Sequence, residues 1–100
     1  MRIDVIGEDP ISHQARTYAE YRVFAALTQF AGDKNVRRAR VVLRPVTLER
    51  GIACTVTVAF EGSDSLRIRT TGPHAYAAID RAVVRMRVTS QTGMLDRISV

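Results

Sequence analysis

The chain is poor in the residues that build covalent or metal-centred chemistry. Its 100 residues include one cysteine, two histidines and no tryptophan. A single cysteine cannot form an internal disulfide, which is typical of a protein from a reducing, cytoplasmic compartment. The two histidines and the cysteine lie far apart in sequence, without the spacing of metal ligands. The sequence therefore predicts neither a metal nor a cofactor.

Long apolar runs and nucleotide-binding motifs are also missing. No apolar stretch approaches the ~20 residues of a membrane-spanning helix, so we expect no membrane partner. The N-terminal segment is interrupted by Asp4 and Glu8 and does not read as a signal peptide. Neither Gly-x-Gly-x-x-Gly nor a P-loop occurs. Asp80 has no catalytic partner beside it, so we expect it to pair with an arginine such as Arg87 or to organise a helix start. No enzymatic activity is predicted.

Positive charge is what the sequence has in excess. Lysine and arginine number 15 against 10 acidic residues, for a formal net charge of +5. All of these basic residues except Lys34 are arginine. The planar arginine fork suits bidentate contact with phosphate, so a nucleic-acid partner is favoured. Basic surfaces also bind acidic proteins, and charge alone leaves that alternative open.

The hydrophobic pattern predicts four strands and two helices. Period-two alternation predicts strands over 2–6, 38–44, 52–60 and 66–69. Helical spacing predicts helices over 13–30, with Ser12 as its N-cap, and over about 73–89. Because apolar and polar residues alternate cleanly in the strands, one sheet face should be covered and the other exposed to solvent. We predict an α+β two-layer sandwich, β-α-β-β-β-α, with both helices on one face of a four-stranded sheet. Residues 1–90 would form one domain and 91–100 a short flexible tail.

Two basic surfaces follow from this arrangement. The first is the open sheet face, whose arginines are Arg38, Arg40, Arg44, Arg67 and Arg69. Arginines two apart on a strand lie about 7 Å from each other, close to the phosphate spacing of a nucleic-acid strand. The alternative interpretation is a solvated face whose charge prevents edge pairing.

The second basic surface lies on the helices. Tyr76, Ile79, Val83 and Met86 recur at helical spacing, which predicts that they form the packed face of the second helix. Arg81 and Arg85 are four residues apart and share its other face. On the first helix, Arg16 can pair with Glu20 at i+4. Arg22 falls at the edge of the apolar stripe, which favours either snorkelling or a place in a groove between the helices.

Three further residues are candidates for burial or contact. Tyr21 and Phe24 lie off the apolar stripe of the first helix. They could stack on a base, meet a protein partner, or simply be singly exposed aromatics. Cys54 stands among inward-pointing strand residues, which predicts a buried, structural thiol.

Three segments resemble one known family. They are Tyr76-Ala77-Ala78-Ile79-Asp80 followed by Arg81, the helix segment 16–24 with Leu27 and Phe30, and strand 36–43 leading to the cysteine strand. Together, in this order, they resemble the ribosome hibernation promoting factor family, short type, also called ribosome-associated inhibitor or sigma-54 modulation proteins. The likeness covers about residues 1–90.

That resemblance implies a fold similar to double-stranded-RNA-binding domains and a small-ribosomal-subunit partner, with no DNA expected. It implies binding in the channel that messenger and transfer RNA would occupy, so that decoding is blocked in idle or stressed cells. Basic helix residues of the family face ribosomal RNA. The matching positions here are Arg16, Arg22, Arg81 and Arg85, and less directly Arg87.

Two alternative functions remain open at the level of sequence. The chain could be a protein-interaction or regulatory module that keeps the fold without the ribosome and self-associates through Tyr21 and Phe24. It could also be a generic RNA binder that uses the basic sheet face.

Overall fold

The computed structural model describes residues 1–30, 35–47, 50–62 and 64–91. The elements are β1 (Arg2–Gly7), α1 (His13–Phe30), β2 (Val36–Val46), β3 (Gly51–Phe60), β4 (Ser65–Gly72) and α2 (Ala75–Gln91). The predicted order β-α-β-β-β-α is confirmed. Apart from Gln91, the predicted tail 91–100 lies outside the described residues.

The strands form one mixed sheet in the order β1-β2-β3-β4. β1 runs parallel to β2, because α1 carries the chain back across the sheet, whereas the other pairs are antiparallel. One row across the sheet consists of Val5, Val41, Val56 and Ile68. These residues face the helices, and neighbouring positions face solvent, as the alternation predicts.

Both helices cover the same sheet face and close a single core. The buried residues of α1 and α2 are Ala15, Ala19, Val23, Ala26, Leu27, Ala75, Ala78, Ile79, Ala82, Val83 and Met86. Cys54 of β3 is fully buried in this core, as expected. Its burial raises the pKa of the thiol to about 12. The two-layer α+β architecture is therefore confirmed.

The helix starts follow local hydrogen bonds. The Ala15 N–H donates to Ser12 Oγ at 3.1 Å, which confirms Ser12 as the N-cap of α1. At α2 the Ala77 N–H donates to His74 Nδ1 at 3.2 Å, so His74 serves as the cap. The helix consequently begins at Ala75, two residues later than predicted.

Strand β2 is longer than its alternation predicts and continues through Pro45 to Val46. The pairing of β1 with β2 ends at Leu43, opposite Gly7. Beyond that point β2 is an edge strand, where proline is tolerated because it need not donate on the free side.

Candidate nucleic-acid interface

α2 and β4 together form an open groove of about 570 Å³. Three arginines line it: Arg69 from β4, and Arg81 and Arg85 from α2. Its remaining lining residues are Thr70, Thr71, Asp80 and Val84. This β4–α2 groove therefore joins one arginine of the predicted sheet surface to two of the predicted helical surface.

Close packing at Gly72 sets the position of α2 against β4. A Cβ at Gly72 would lie 2.7 Å from the backbone nitrogen of Ala78, so only glycine allows this approach. The Thr70 hydroxyl also donates to the Ala78 carbonyl at 2.7 Å. These contacts place the next turn of α2, which carries Arg81, over the end of β4.

Arg81 is held at the rim of the groove by the sheet. Its Nη1 donates to the Thr71 carbonyl at 2.6 Å. A guanidinium carries five N–H donors, so this bond leaves others for a ligand while fixing the orientation of the fork. Arg85 lies one turn further along, is exposed, and has no acidic partner among the residues described. The groove thus presents, on the same helix face, one cation oriented by the sheet and one exposed cation without an acidic partner in the described chain.

A polar cluster links the two helices beside the groove. Tyr18 donates its hydroxyl hydrogen to Asp80 Oδ1 across 2.6 Å. Arg22 Nε lies 3.5 Å from the same oxygen, although without the geometry of a hydrogen bond. The hydrogen bond to Asp80, followed by burial, raises the pKa of Tyr18 above its ordinary value of 10.0. The sequence predicts that Asp80 pairs with an arginine such as Arg87. In the structure that arginine is Arg22, from the other helix.

Arg22 occupies the interhelical position that the sequence allowed as one of two alternatives. Its side chain is 36% exposed, and its guanidinium carbon lies 6.0 Å from the Tyr18 ring centroid. Tyr76 meets Tyr18 edge-on, with 5.0 Å between ring centroids. The prediction that Tyr76 packs inside the apolar face of α2 is wrong, because the ring is 40% exposed at the rim of the helix pair.

Arg16 and Arg87 do not line the β4–α2 groove. The Cγ and Cδ of Arg16 lie 3.1 and 2.9 Å from where a Cβ of Gly7 would stand, so its methylenes cover the end of β1. Its Nε is buried without a hydrogen-bond partner, and within the described chain it forms no ion pair with Glu20. Arg87 is exposed near the end of α2. The structure therefore groups Arg81 and Arg85 with Arg69 rather than with Arg16.

The arginines of the open sheet face divide into paired and unpaired ones. Arg38 Nε donates to Asp4 Oδ2 at 3.0 Å, while Arg2 Nε donates to Asp4 Oδ1 at 3.2 Å. Desolvation raises the pKa of Asp4, but the hydrogen bonds from Arg38 and Arg2 outweigh it and leave the pKa below its ordinary value. Arg44 Nε lies 3.4 Å from Glu8 Oε2. Two of the five arginines predicted for this face, Arg38 and Arg44, thus already lie against acids.

The exposed aromatics of α1 form a separate surface. Tyr21 and Phe24 are 69% and 51% exposed, which confirms that they lie off the apolar stripe. They line a groove of about 510 Å³ with Met1 and Ile3 of the N-terminal segment. Within the described residues, no group of three or more histidine, cysteine or acidic side chains could hold a metal ion. None of the helices in that part of the chain is long and apolar enough to cross a membrane.

Comparison with known proteins finds structural but not sequence matches. No family model and no curated protein matches the chain. The Protein Y N-terminal domain of Thermus thermophilus superposes with a TM-score of 0.73 at 26% identity, over 93% of this chain and 99% of that one. A ribosomal subunit interface protein from Coxiella burnetii gives a TM-score of 0.73 at 14% identity, over 93% and 97% of the two chains. These likenesses confirm the fold and the resemblance to the ribosome hibernation promoting factor family.

Proposed function

From the fold shared with the ribosome hibernation promoting factor family, we propose that this chain is a cytoplasmic, ribosome-associated inhibitor of translation. It would bind ribosomal RNA in the decoding channel of the small subunit and exclude messenger and transfer RNA from idle or stressed ribosomes. The proposed role is binding and steric occlusion, with no catalytic step and no cofactor. Residues 1–90 would act as the binding domain, with 91–100 as its tail.

The observation that carries this proposal is the clustering of Arg69, Arg81 and Arg85 along one groove. Contacts with phosphate dominate the affinity of proteins for RNA, and arginine forks bind phosphate oxygens bidentately. The bond from Arg81 to the Thr71 carbonyl orders its side chain before RNA arrives, which lowers the entropy lost on binding.

The remaining arginines of the predicted helical surface would play supporting parts. Arg22 lies against Asp80, so its charge is partly matched within the protein, and its main effect would be to hold α1 against α2. Arg16, over the end of β1, and Arg87, near the end of α2, would contact RNA outside the groove. We therefore expect charge reversal at Arg85 to weaken ribosome binding more than charge reversal at Arg16.

Co-sedimentation with purified small ribosomal subunits tests this function. The proposal predicts stoichiometric pelleting at low salt that declines steeply as salt rises, since each phosphate contact releases a counterion. A folded protein that stays in the supernatant at low salt would contradict it.

A second function is favoured by a different observation. Tyr21 and Phe24 stand exposed beside Met1 in one groove, and contiguous exposed apolar surface is typical of protein contacts. In this alternative, the chain is an interaction module that self-associates through α1. The double variant Tyr21→Ser with Phe24→Ser separates the two functions, with sedimentation velocity measuring self-association and co-sedimentation measuring subunit binding. The interaction module predicts loss of self-association, whereas the ribosome-associated function predicts unchanged pelleting with subunits.

A further inference from the structure

The open sheet face contains a concave surface of about 550 Å³ that is separate from the helices. Arg40, Thr57 and Arg67 lie in one row across β2, β3 and β4. Thr55 and Arg69 are opposite each other in the next row. The two threonines thus lie between these three arginines, and a fourth arginine, Arg44, also lines the surface.

The charges of these three arginines are not matched by acids. Asp4 is the cross-strand neighbour of Arg40, but its two carboxylate oxygens accept from Arg2 and Arg38. Arg44 lies against Glu8. In the described chain no acidic side chain pairs with Arg40, Arg67 or Arg69, so the unmatched positive charge lies between β2 and the β4 edge of the face rather than at its β1 side.

The spacing and chemistry of this surface fit a phosphodiester backbone. Arg67 and Arg69 are two residues apart on one strand, about 7 Å, and Arg40 lies two strands from Arg67, about 10 Å. The hydroxyls of Thr55 and Thr57 can donate to phosphate oxygens between them. No aromatic side chain stands on this face of the described strands, so bases have nothing to stack on.

Arg69 also lines the β4–α2 groove, so the sheet surface and the groove meet at this residue. We propose that the open sheet face is a second RNA-backbone site, formed by Arg40, Arg67 and Arg69 with Thr55 and Thr57, which continues the groove around the β4 edge. It binds single-stranded RNA with little sequence preference, and does so without the ribosome.

Fluorescence anisotropy with a labelled single-stranded oligouridine of ~16 nucleotides tests the site across a salt series. The test variant is Arg40→Gln with Arg67→Gln. The matched control is Arg37→Gln with Arg38→Gln, which removes the same charge from exposed arginines of β2 that do not line the surface. Circular dichroism and thermal unfolding establish that both variants are folded, and Arg67→Gln alone serves if the double variant is not.

In a plot of log affinity against log salt concentration, each lost phosphate contact reduces the magnitude of the slope by about 0.7. For the test variant, which loses two contacts, the slope should fall by about 1.4. If parent and variant bind equally at about 1 M salt, where phosphate contacts contribute little, each lost contact weakens binding about eightfold at about 50 mM salt. The double variant should therefore bind about 60-fold more weakly than the parent at about 50 mM salt. The control should keep the slope of the parent protein.

Equal slopes for the test variant and the parent would overturn the proposal. Equal losses of slope in the test and control variants would also overturn it, because only net charge would then matter. Since the assay contains no ribosome, its outcome is distinct from that of co-sedimentation. If the protein pellets with subunits but does not bind oligouridine, the proposed function stands and the proposed sheet site is wrong.

Discussion

The Tyr18 hydroxyl on α1 donates to the Asp80 carboxylate on α2, with 2.6 Å between the two oxygens. This contact joins residues 62 positions apart in sequence and ties the two helices together above the sheet. Asp80 also lines the β4–α2 groove. The hydrogen bond therefore connects the packing of the helix pair to the geometry of the candidate RNA site.

Removing this hydroxyl should destabilise the fold. Tyr18→Phe deletes the donor and leaves a partly buried carboxylate with Arg22 alone, so the free energy of unfolding should fall by about 1–2 kcal/mol. Urea denaturation measures this change. Tyr21→Phe is the matched control, since that ring is 69% exposed, and it should change stability by less than about 0.5 kcal/mol. Equal effects of the two substitutions would contradict the role of the bond.

The same hydrogen bond predicts a pH dependence. The pKa of Tyr18 is raised above 10.0 by the bond to Asp80 and by burial. Its stabilising contribution is therefore complete below the unfolded-state value near 10, and is lost as pH rises through the higher folded-state pKa. Subtracting the spectrophotometric titration of Tyr18→Phe from that of the parent should isolate a phenol that ionises above pH 10. A midpoint at or below 10 would show that the bond is absent in solution.

Gly72 should tolerate a methyl group poorly. In Gly72→Ala the new Cβ meets the Ala78 backbone nitrogen at 2.7 Å, and relief requires α2 to move away from β4. A cost of about 1–3 kcal/mol in unfolding free energy is expected. Gly7→Ala is the comparison, because its Cβ meets only side-chain atoms of Arg16 and Ile11, at 2.9 Å each. Chemical denaturation should rank Gly72→Ala as the more destabilising, and the reverse order would contradict the packing at this contact.

Cys54 should be unreactive in the folded protein. Burial raises its thiol pKa to about 12, and the thiolate is the reactive species. Modification by a thiol reagent near neutral pH should be very slow in native buffer and rapid in denaturant. Native labelling as fast as labelling of the unfolded chain would mean that β3 is not covered by the helices.

Most of the architecture was predictable because the strands alternate cleanly and the helices carry local start signals. Ser12 caps α1 as its sequence context indicates, and the alternation of β2 to β4 identifies the covered sheet face. The partner of Asp80 was not predictable, since Arg22 reaches it from a different helix. Helical spacing also misplaced Tyr76, because the wheel cannot show that Tyr18 meets it at the rim.

The candidate site was only partly predictable for a related reason. Sequence spacing groups Arg81 with Arg85, but not with Arg69. That association requires β4 to be the edge strand beside α2, which depends on strand order. Likewise, alternation places Arg38 and Arg40 on the same face, and the register of β1 sets Asp4 opposite Arg40. Only the side-chain hydrogen bonds show that Arg2 and Arg38 take both carboxylate oxygens of Asp4.

The most direct test of ribosome binding through the β4–α2 groove is salt-dependent co-sedimentation of Arg85→Glu with small ribosomal subunits. Arg37→Glu is the control, an equal change of charge at an exposed position near the β-bulge that opens β2. The double variant Arg81→Glu, Arg85→Glu extends the test. Its thermal unfolding is measured as well, because Arg81 also donates a hydrogen bond to the Thr71 carbonyl and its loss could affect folding. We predict that Arg85→Glu releases the protein from subunits at moderate salt and lowers the salt slope by about one unit, whereas Arg37→Glu pellets like the parent. Parent-like pelleting of a folded Arg81→Glu, Arg85→Glu variant would show that the groove does not bind the ribosome.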